Sequence, residues 1–292
     1  MRWQPWVYLY LLMLVPYLTQ SRKDHNKRLV LICLQMIVAG VYVWSGIQKF
    51  NPNFLDGTFA PMITGFGGLK VETWRMAGYA IPLLEFLTGI FLLIPQLRKI
   101  AVFSALVIHI LILIYLSSPV VLNPNSVVYP WNVAMLCFVY LLFWDVKDNL
   151  FITVREIWSN VLIASVVILV WIIPVFNLFG YWDHYLSFSL YSNKPSRFFI
   201  AVEEGELHKI DKRFTNYFAE ISGIQGGQII EVDKWAYSEL NTPFYPEMKS
   251  FKKLSSTFCD LGIHEDKLVF LELFYVDRKP HFSKFTCNDL KN

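Results

Sequence analysis

Three ionisable side chains lie inside apolar stretches where a charge is costly: Lys49, Glu85 and His109. Lys49 closes the run Val41-Tyr42-Val43-Trp44-Ser45-Gly46-Ile47-Gln48-Lys49-Phe50, just before Asn51-Pro52. Glu85 sits in Leu83-Leu84-Glu85-Phe86-Leu87, and His109 in Val107-Ile108-His109-Ile110-Leu111. An amine, a carboxylate and an imidazole can exchange protons, and each needs a partner or a route to water at membrane depth. Glu85 lies about ten residues before the tight Gln96–Lys99 connection and His109 about ten after it, which puts them at matched depth on antiparallel helices. The sequence therefore predicts a Glu85–His109 pair, either as a proton-handling or quinone-contacting site or as a polar clamp between helices. Lys49 reads as a third proton-handling group, or as a lysine snorkelling to the headgroups. Asn132, in Tyr129-Pro130-Trp131-Asn132, can cap its own helix or reach Lys49. Trp44 and Trp131 are candidates to flank a cofactor, or members of an interfacial aromatic belt.

The elements that must position these residues are apolar and long. The 292-residue chain is 55% hydrophobic and 17% charged, with a mean hydropathy of +0.41. A soluble domain is nearer a quarter charged, so the composition points to a membrane class. Apolar runs at 6–19, 29–50, 76–95, 100–121, 127–144 and 157–180 predict about six spans, of which the first is short and holds Pro16. Residues 1–180 carry 12 Lys+Arg against 7 Asp+Glu, and residues 181–292 carry 14 against 16. That shift predicts a membrane domain over 1–180 and a soluble domain over 181–292. The basic excess belongs to the membrane part, so the net charge of +3 is no argument for nucleic acid.

Basic residues also set an orientation. Arg22, Lys23, Lys27, Arg28, Arg98, Lys99, Lys147 and Arg155 fall in alternate loops, which predicts those loops on the cytoplasmic side. Lys49, both termini and the soluble domain then face outward. Basic residues after the first apolar run and the lack of a small-x-small site predict a retained helix, not a cleaved signal. Cys33 and Cys137 lie in spans, while Cys259 and Cys287 lie in the tail, where they are candidates for a disulfide or remain free thiols. The tail shows strand patterns at 197–202, 228–233, 267–276 and 280–285, with a helical face over 246–261. Gly223-Ile224-Gln225-Gly226-Gly227 reads as a turn. The tail's histidines are too dispersed for a metal site, and no metal is expected.

Two families share these patterns. Ser45-Gly46-Ile47-Gln48-Lys49-Phe50, followed by Leu84-Glu85-Phe86-Leu87-Thr88-Gly89 and Leu92-Leu93-Ile94-Pro95, resembles the DoxX-like membrane proteins over residues 29–145. Gly46, Lys49 and Asp56-Gly57 are also similar to the HTTM membrane region of vitamin K-dependent γ-carboxylase-type proteins, where a lysine acts as base. Ile173-Pro174 and Tyr185–Ser192 share that likeness, whereas the tail is far smaller than a carboxylase outer domain. The resemblance implies an all-α polytopic bundle with a DoxX-like four-helix core, and the tail's own strand and helix patterns and the charge distribution add a small α+β extracytoplasmic domain. Three functional readings remain open. The first is a subunit or accessory factor of a redox or cell-envelope complex in a bacterial inner membrane, with residues 181–292 binding an envelope or membrane protein partner. The second is an HTTM-type enzyme with Lys49 as base, Glu85 and His109 as relay and a quinone-like cofactor. The third is a small-molecule transporter.

Overall fold

A computed structural model describes residues 3–19, 24–65, 70–117, 127–146, 154–219, 227–276 and 279–291. Arg22, Lys23, Lys147, the side chain of Arg155 and Gly223-Ile224-Gln225-Gly226 lie outside the described residues. The chain forms two compact units, one of Trp3–Asn123 with Val127–Lys194 and one built on Pro195–Asn292. The first runs past the boundary drawn at residue 180. Polar residues 181–194 lowered the local hydropathy, but their backbone is hydrogen-bonded to loops of the helical unit.

Among its described residues the first unit is built on six longer apolar helices: α1 (Pro5–Leu14), α2 (Asp24–Lys49), α3 (Ala80–Leu93), α4 (Arg98–Leu116), α5 (Val128–Phe143) and α6 (Val161–Trp171). Among the described residues four helical stretches are long and apolar enough to cross a bilayer: Lys27–Lys49, Val71–Leu93, Arg98–Leu116 and Val161–Phe179. The chain is thus an integral membrane protein by the length and composition of its helices. The other two expected spans are shorter helices, Pro5–Leu18 and Val128–Phe143. At 16 residues α5 is about 24 Å long, short of the roughly 30 Å hydrocarbon core. The first run changes to 3₁₀ geometry over Val15–Thr19, around Pro16, which lacks the N–H that an α-helix uses.

Helix α2 is the axis of this unit. It is apolar on nearly every side, as a helix surrounded by others must be, and it packs against α1, α3, α5 and α6. Helix α4 in turn packs against α3 and α5. Polar side chains seal these contacts. Gln35 donates to the Leu142 carbonyl (2.6 Å), Trp171 Nε1 to the Met36 carbonyl (3.0 Å), and Thr88 Oγ1 lies 2.8 Å from Ser104 Oγ. Arg98 is only 1% exposed, although its sequence position suggests a loop cation. Its guanidinium donates to the carbonyls of Leu92 (2.8 Å) and Val146 (2.6 Å), so it satisfies the C-terminal end of α3 and ties it to the end of α5.

The closest crossing is between α2 and α3, and two glycines set it. A Cβ on Gly46 would lie 2.7 Å from both the Pro82 carbonyl oxygen and the Phe86 nitrogen. A Cβ on Gly89 would lie 2.7 Å from the Val43 nitrogen and 2.8 Å from the Ala39 oxygen. Main chain therefore meets main chain on both sides of the crossing, in the small-residue packing that membrane helices favour.

The second unit is a five-stranded antiparallel sheet in the order β2-β3-β1-β4-β5, from β1 (Arg197–Glu203), β2 (Phe218–Ala219), β3 (Gly227–Glu231), β4 (Leu268–Val276) and β5 (Lys279–Phe285). The long strands fall where β-branched and aromatic residues predict them. In β1, Phe198, Ile200 and Val202 belong to one core with Phe251 and Phe258 of helix α8 (Met248–Cys259), while Phe199 packs with Ile229, Leu271 and Leu273 in another. Helix α7 (Val232–Leu240) begins at a residue that the strand pattern claimed, because β-branched Val232 continues the alternation of Ile230 in β3. Cys259 at the end of α8 is disulfide-bonded to Cys287, with the Cα atoms 5.8 Å apart.

The glycine crossing leads to a direct expectation. Gly46→Ala should gain about 1 kcal/mol of helix propensity but lose more by forcing main chain apart, for a net destabilisation of about 1–3 kcal/mol. Thermal unfolding in detergent measures it. Gly65→Ala, with nothing within 4 Å of its added carbon, is the control and should leave the melting temperature unchanged.

Candidate functional site

The α2 residues Tyr42, Ser45 and Lys49 recur at intervals of three and four, so they share one face of the helix. That face is turned toward α3, α4 and α5. Because Gly46 lets α3 approach, Glu85 arrives opposite Ser45 and Lys49. Lys49 Nζ lies 2.6 Å from Glu85 Oε2 and 2.7 Å from Ser45 Oγ, and Ser45 Oγ donates to the same Glu85 oxygen at 3.0 Å. Lys49 is 5% exposed and Glu85 7%, so this is an ion pair removed from water. Lys49 does not snorkel: Glu85 holds its ammonium inward.

His109 is not the partner of Glu85. Its Nδ1 lies 2.7 Å from Asn132 Oδ1 and its Nε2 lies 2.6 Å from the Tyr42 hydroxyl. Glu85 and His109 do share a depth, but α2 runs beside both and supplies a nearer partner to each. Asn132 likewise does not reach Lys49. Its Nδ2 donates to the Val128 carbonyl at 2.7 Å, which leaves Oδ1 to face the imidazole. The direction of the chain of hydrogen bonds follows. Nδ1 must carry the hydrogen that Asn132 Oδ1 accepts, so in the neutral ring Nε2 accepts from the Tyr42 hydroxyl.

Both polar groups line one cavity of about 440 Å³. Lys49, Glu85, His109, Asn132 and Trp131 all border it, together with Tyr42 and Ser45. Ile108, Ile112, Met62, Val128 and Met135 supply apolar wall. Trp44 does not border the cavity: it is buried in the helical core, and its indole nitrogen has no hydrogen-bond partner among the described residues. Among those residues no group of His, Cys, Asp or Glu is arranged to hold a metal ion.

Two polypeptide segments, noted in the sequence only for a family likeness and not as part of a site, line the cavity near Lys49. Asn51 caps the short helix Pro52–Phe54 by accepting from the Phe54 N–H (3.0 Å), and its Nδ2 donates to the Gln48 and Ser192 carbonyls (2.7 and 3.1 Å). Thr58 donates to the Tyr191 carbonyl at 3.0 Å, and Asn193 Nδ2 to the Asn53 carbonyl at 3.2 Å. Gly57 leaves room for Asn193, whose Nδ2 would sit 1.6 Å from an added Cβ. Phe188, Tyr191 and Asn193 all hold positive φ, near 50°, a conformation that costs free energy in non-glycine residues. Leu190, Tyr191 and Asn193 from this segment complete the wall. The signal for them was faint: Asn51-Pro52 marks a cap, but nothing in 185–194 announces a cavity wall.

A helical membrane unit with a cavity lined by two buried polar groups, in a chain that also carries a separate small α+β unit, is the class of protein that the fold and site define. Residues 27–124, roughly a third of the chain, match the model of a family described as methylamine utilisation protein MauE. The match spans α2 to α4 and includes Tyr42, Ser45, Lys49, Glu85 and His109, whereas α5, α6 and the sheet lie beyond it. It overlaps the stretch that resembles DoxX-like proteins, but the family it names is a different one. No curated protein and no solved structure matches the chain.

A buried ion pair is recognised by the asymmetry between breaking and replacing it. Lys49→Met and Glu85→Leu should each destabilise the protein by about 3–5 kcal/mol, since each leaves one charge without its partner. The double variant should recover much of that loss. Thermal or denaturant unfolding of the four proteins measures the coupling, and simple additivity would show that the two charges do not interact.

Proposed function

We propose that this protein is a membrane accessory factor to a redox pathway, and that its cavity binds a lipophilic, quinone-like molecule between Lys49–Glu85 and Tyr42–His109–Asn132. One observation carries the reading. Two buried polar groups face a shared cavity whose remaining wall is largely apolar, the usual composition of a site for a small amphiphile. Trp131 supplies a flat aromatic face on the same wall. The matched family is described by methylamine utilisation, and use of methylamine requires its oxidation, which favours service to a redox process.

The remaining parts of the proposal concern place and partner. A bacterial inner membrane with residues 195–292 on its outer side agrees with the Lys and Arg distribution. It also agrees with the Cys259–Cys287 disulfide, because such bonds persist in oxidising compartments. The α+β unit, which lies outside the matched span, would then serve as the module that binds a membrane or envelope protein.

An enzyme using Lys49 as base is the second reading, and the 2.6 Å contact with Glu85 bears on it. A lysine must have a free lone pair to act as a base, and Glu85 is its contacting proton acceptor, so Glu85 would be as necessary to the chemistry as Lys49.

The test is what travels with the protein. Wild-type protein purified from its native membrane in mild detergent should yield, on solvent extraction and mass spectrometry, about one lipophilic non-phospholipid molecule per chain, along with a co-purifying protein. Ser45→Leu and His109→Leu, which place bulk or remove polarity at the cavity, should reduce the small molecule several-fold. Bulk phospholipid alone, the same in wild type and variants and with no protein partner, would rule the reading out.

A further inference from the structure

The hydrogen-bond directions in the cavity select between ligands that donate and ligands that only accept. Lys49 uses two ammonium hydrogens on Ser45 and Glu85, which leaves one for a ligand. Glu85 takes both of its hydrogen bonds on Oε2, and Oε1 has no partner among the described residues. Asn132 fixes the hydrogen of His109 on Nδ1, so the Tyr42 hydrogen is committed to Nε2. The Tyr42 oxygen then meets a ligand as an acceptor. The polar end of the cavity thus offers one cationic donor and two acceptors, Glu85 Oε1 and the Tyr42 oxygen.

From this arrangement we infer that the cavity is built for a hydroxyl-headed amphiphile, an alcohol or phenol carrying a hydrocarbon tail. The inference rests on the proposed ligand-binding role and narrows its chemistry: of a quinone-like pair it selects the reduced, hydroxyl-bearing quinol over the quinone, whose carbonyls only accept. The head oxygen accepts from Lys49 while the head hydrogen is donated to Glu85 or Tyr42, and the tail lies along Ile108, Ile112 and Met135. A head that only accepts uses Lys49 but displaces water from Glu85 and Tyr42 without replacing its hydrogen bonds. Unmade hydrogen bonds to buried groups, one of them charged, weaken binding by about tenfold or more.

A 4-alkylphenol and its methyl ether share the ring, tail and oxygen, and the ether carries a methyl group where the phenol carries the donated hydrogen. Isothermal titration of the full chain in lipid nanodiscs, with empty nanodiscs as blank, compares them. The phenol is expected to bind about tenfold or more tightly than the ether, and binding of both should be lost in Ile112→Trp, whose larger ring enters the cavity from a half-buried position. Equal affinities, or a tighter ether, with both lost in Ile112→Trp would overturn the inference and leave the ligand-binding role standing. Phenol binding that persists undiminished in Ile112→Trp lies elsewhere and overturns it too. Binding of neither compound above the blank overturns both the inference and the role it rests on.

Discussion

The structure of the helical unit depends on how closely α2 and α3 approach. Gly46 and Gly89 let the backbones touch on both sides of the crossing, and Glu85 stands on α3 within the first contact, between Pro82 and Phe86. With a longer separation Lys49 would have no carboxylate within reach, and the lowest-energy position for its ammonium would be the membrane surface. At this separation the ammonium is 2.6 Å from Glu85, and a cation and an anion become tolerable in a place from which water is largely excluded. The glycines and the charges therefore depend on each other. The close crossing permits the pair, and the pair makes any wider crossing costly.

From that crossing the cavity follows. Ser45 and Tyr42 lie on the same face of α2 as Lys49, so the helix presents a polar stripe to the cavity that α4 and α5 also line. His109 on α4 and Asn132 on α5 answer the far end of the stripe, with each polar atom directed by the next: the Val128 carbonyl orients Asn132, Asn132 orients the imidazole, and the imidazole orients Tyr42. Phe188, Tyr191 and Asn193 adopt strained conformations in the segment that reaches the near end, held by Asn51, Thr58 and the space beside Gly57. Strain retained at a cavity wall is consistent with a wall kept for its shape.

Much of this was legible in the sequence at the level of type, less at the level of partner. Lys49, Glu85 and His109 stood out because a charge or imidazole in an apolar run needs a reason, and all three border the cavity. Their pairing did not follow, since matched depth on adjacent helices says nothing about a third helix lying closer to both. Tyr42 and Ser45 were hidden by ordinary residue types, although their spacing from Lys49 put them on its face. Trp44 attracted notice as an aromatic beside the motif, but its position on α2 points it into the core. The α+β unit showed its long strands through β-branched and aromatic runs, while α7 was masked because its first residue, Val232, extends the alternation of β3. Arg98 looked like a loop cation and is instead the buried cap of α3, a role that depends on carbonyls at Leu92 and Val146 that no linear pattern displays.

The central claim is that Lys49 and Glu85 form an ion pair within the membrane and that the cavity is organised around it. The most direct measurement is the ¹⁵N–¹³C dipolar coupling between the Lys49 ammonium and the Glu85 carboxylate, by solid-state NMR of selectively labelled protein in lipid bilayers. The account expects a strong coupling, corresponding to ion-pair contact within about 4 Å. A coupling too weak to detect, with the Lys49 ammonium in contact with lipid phosphate instead, would contradict it.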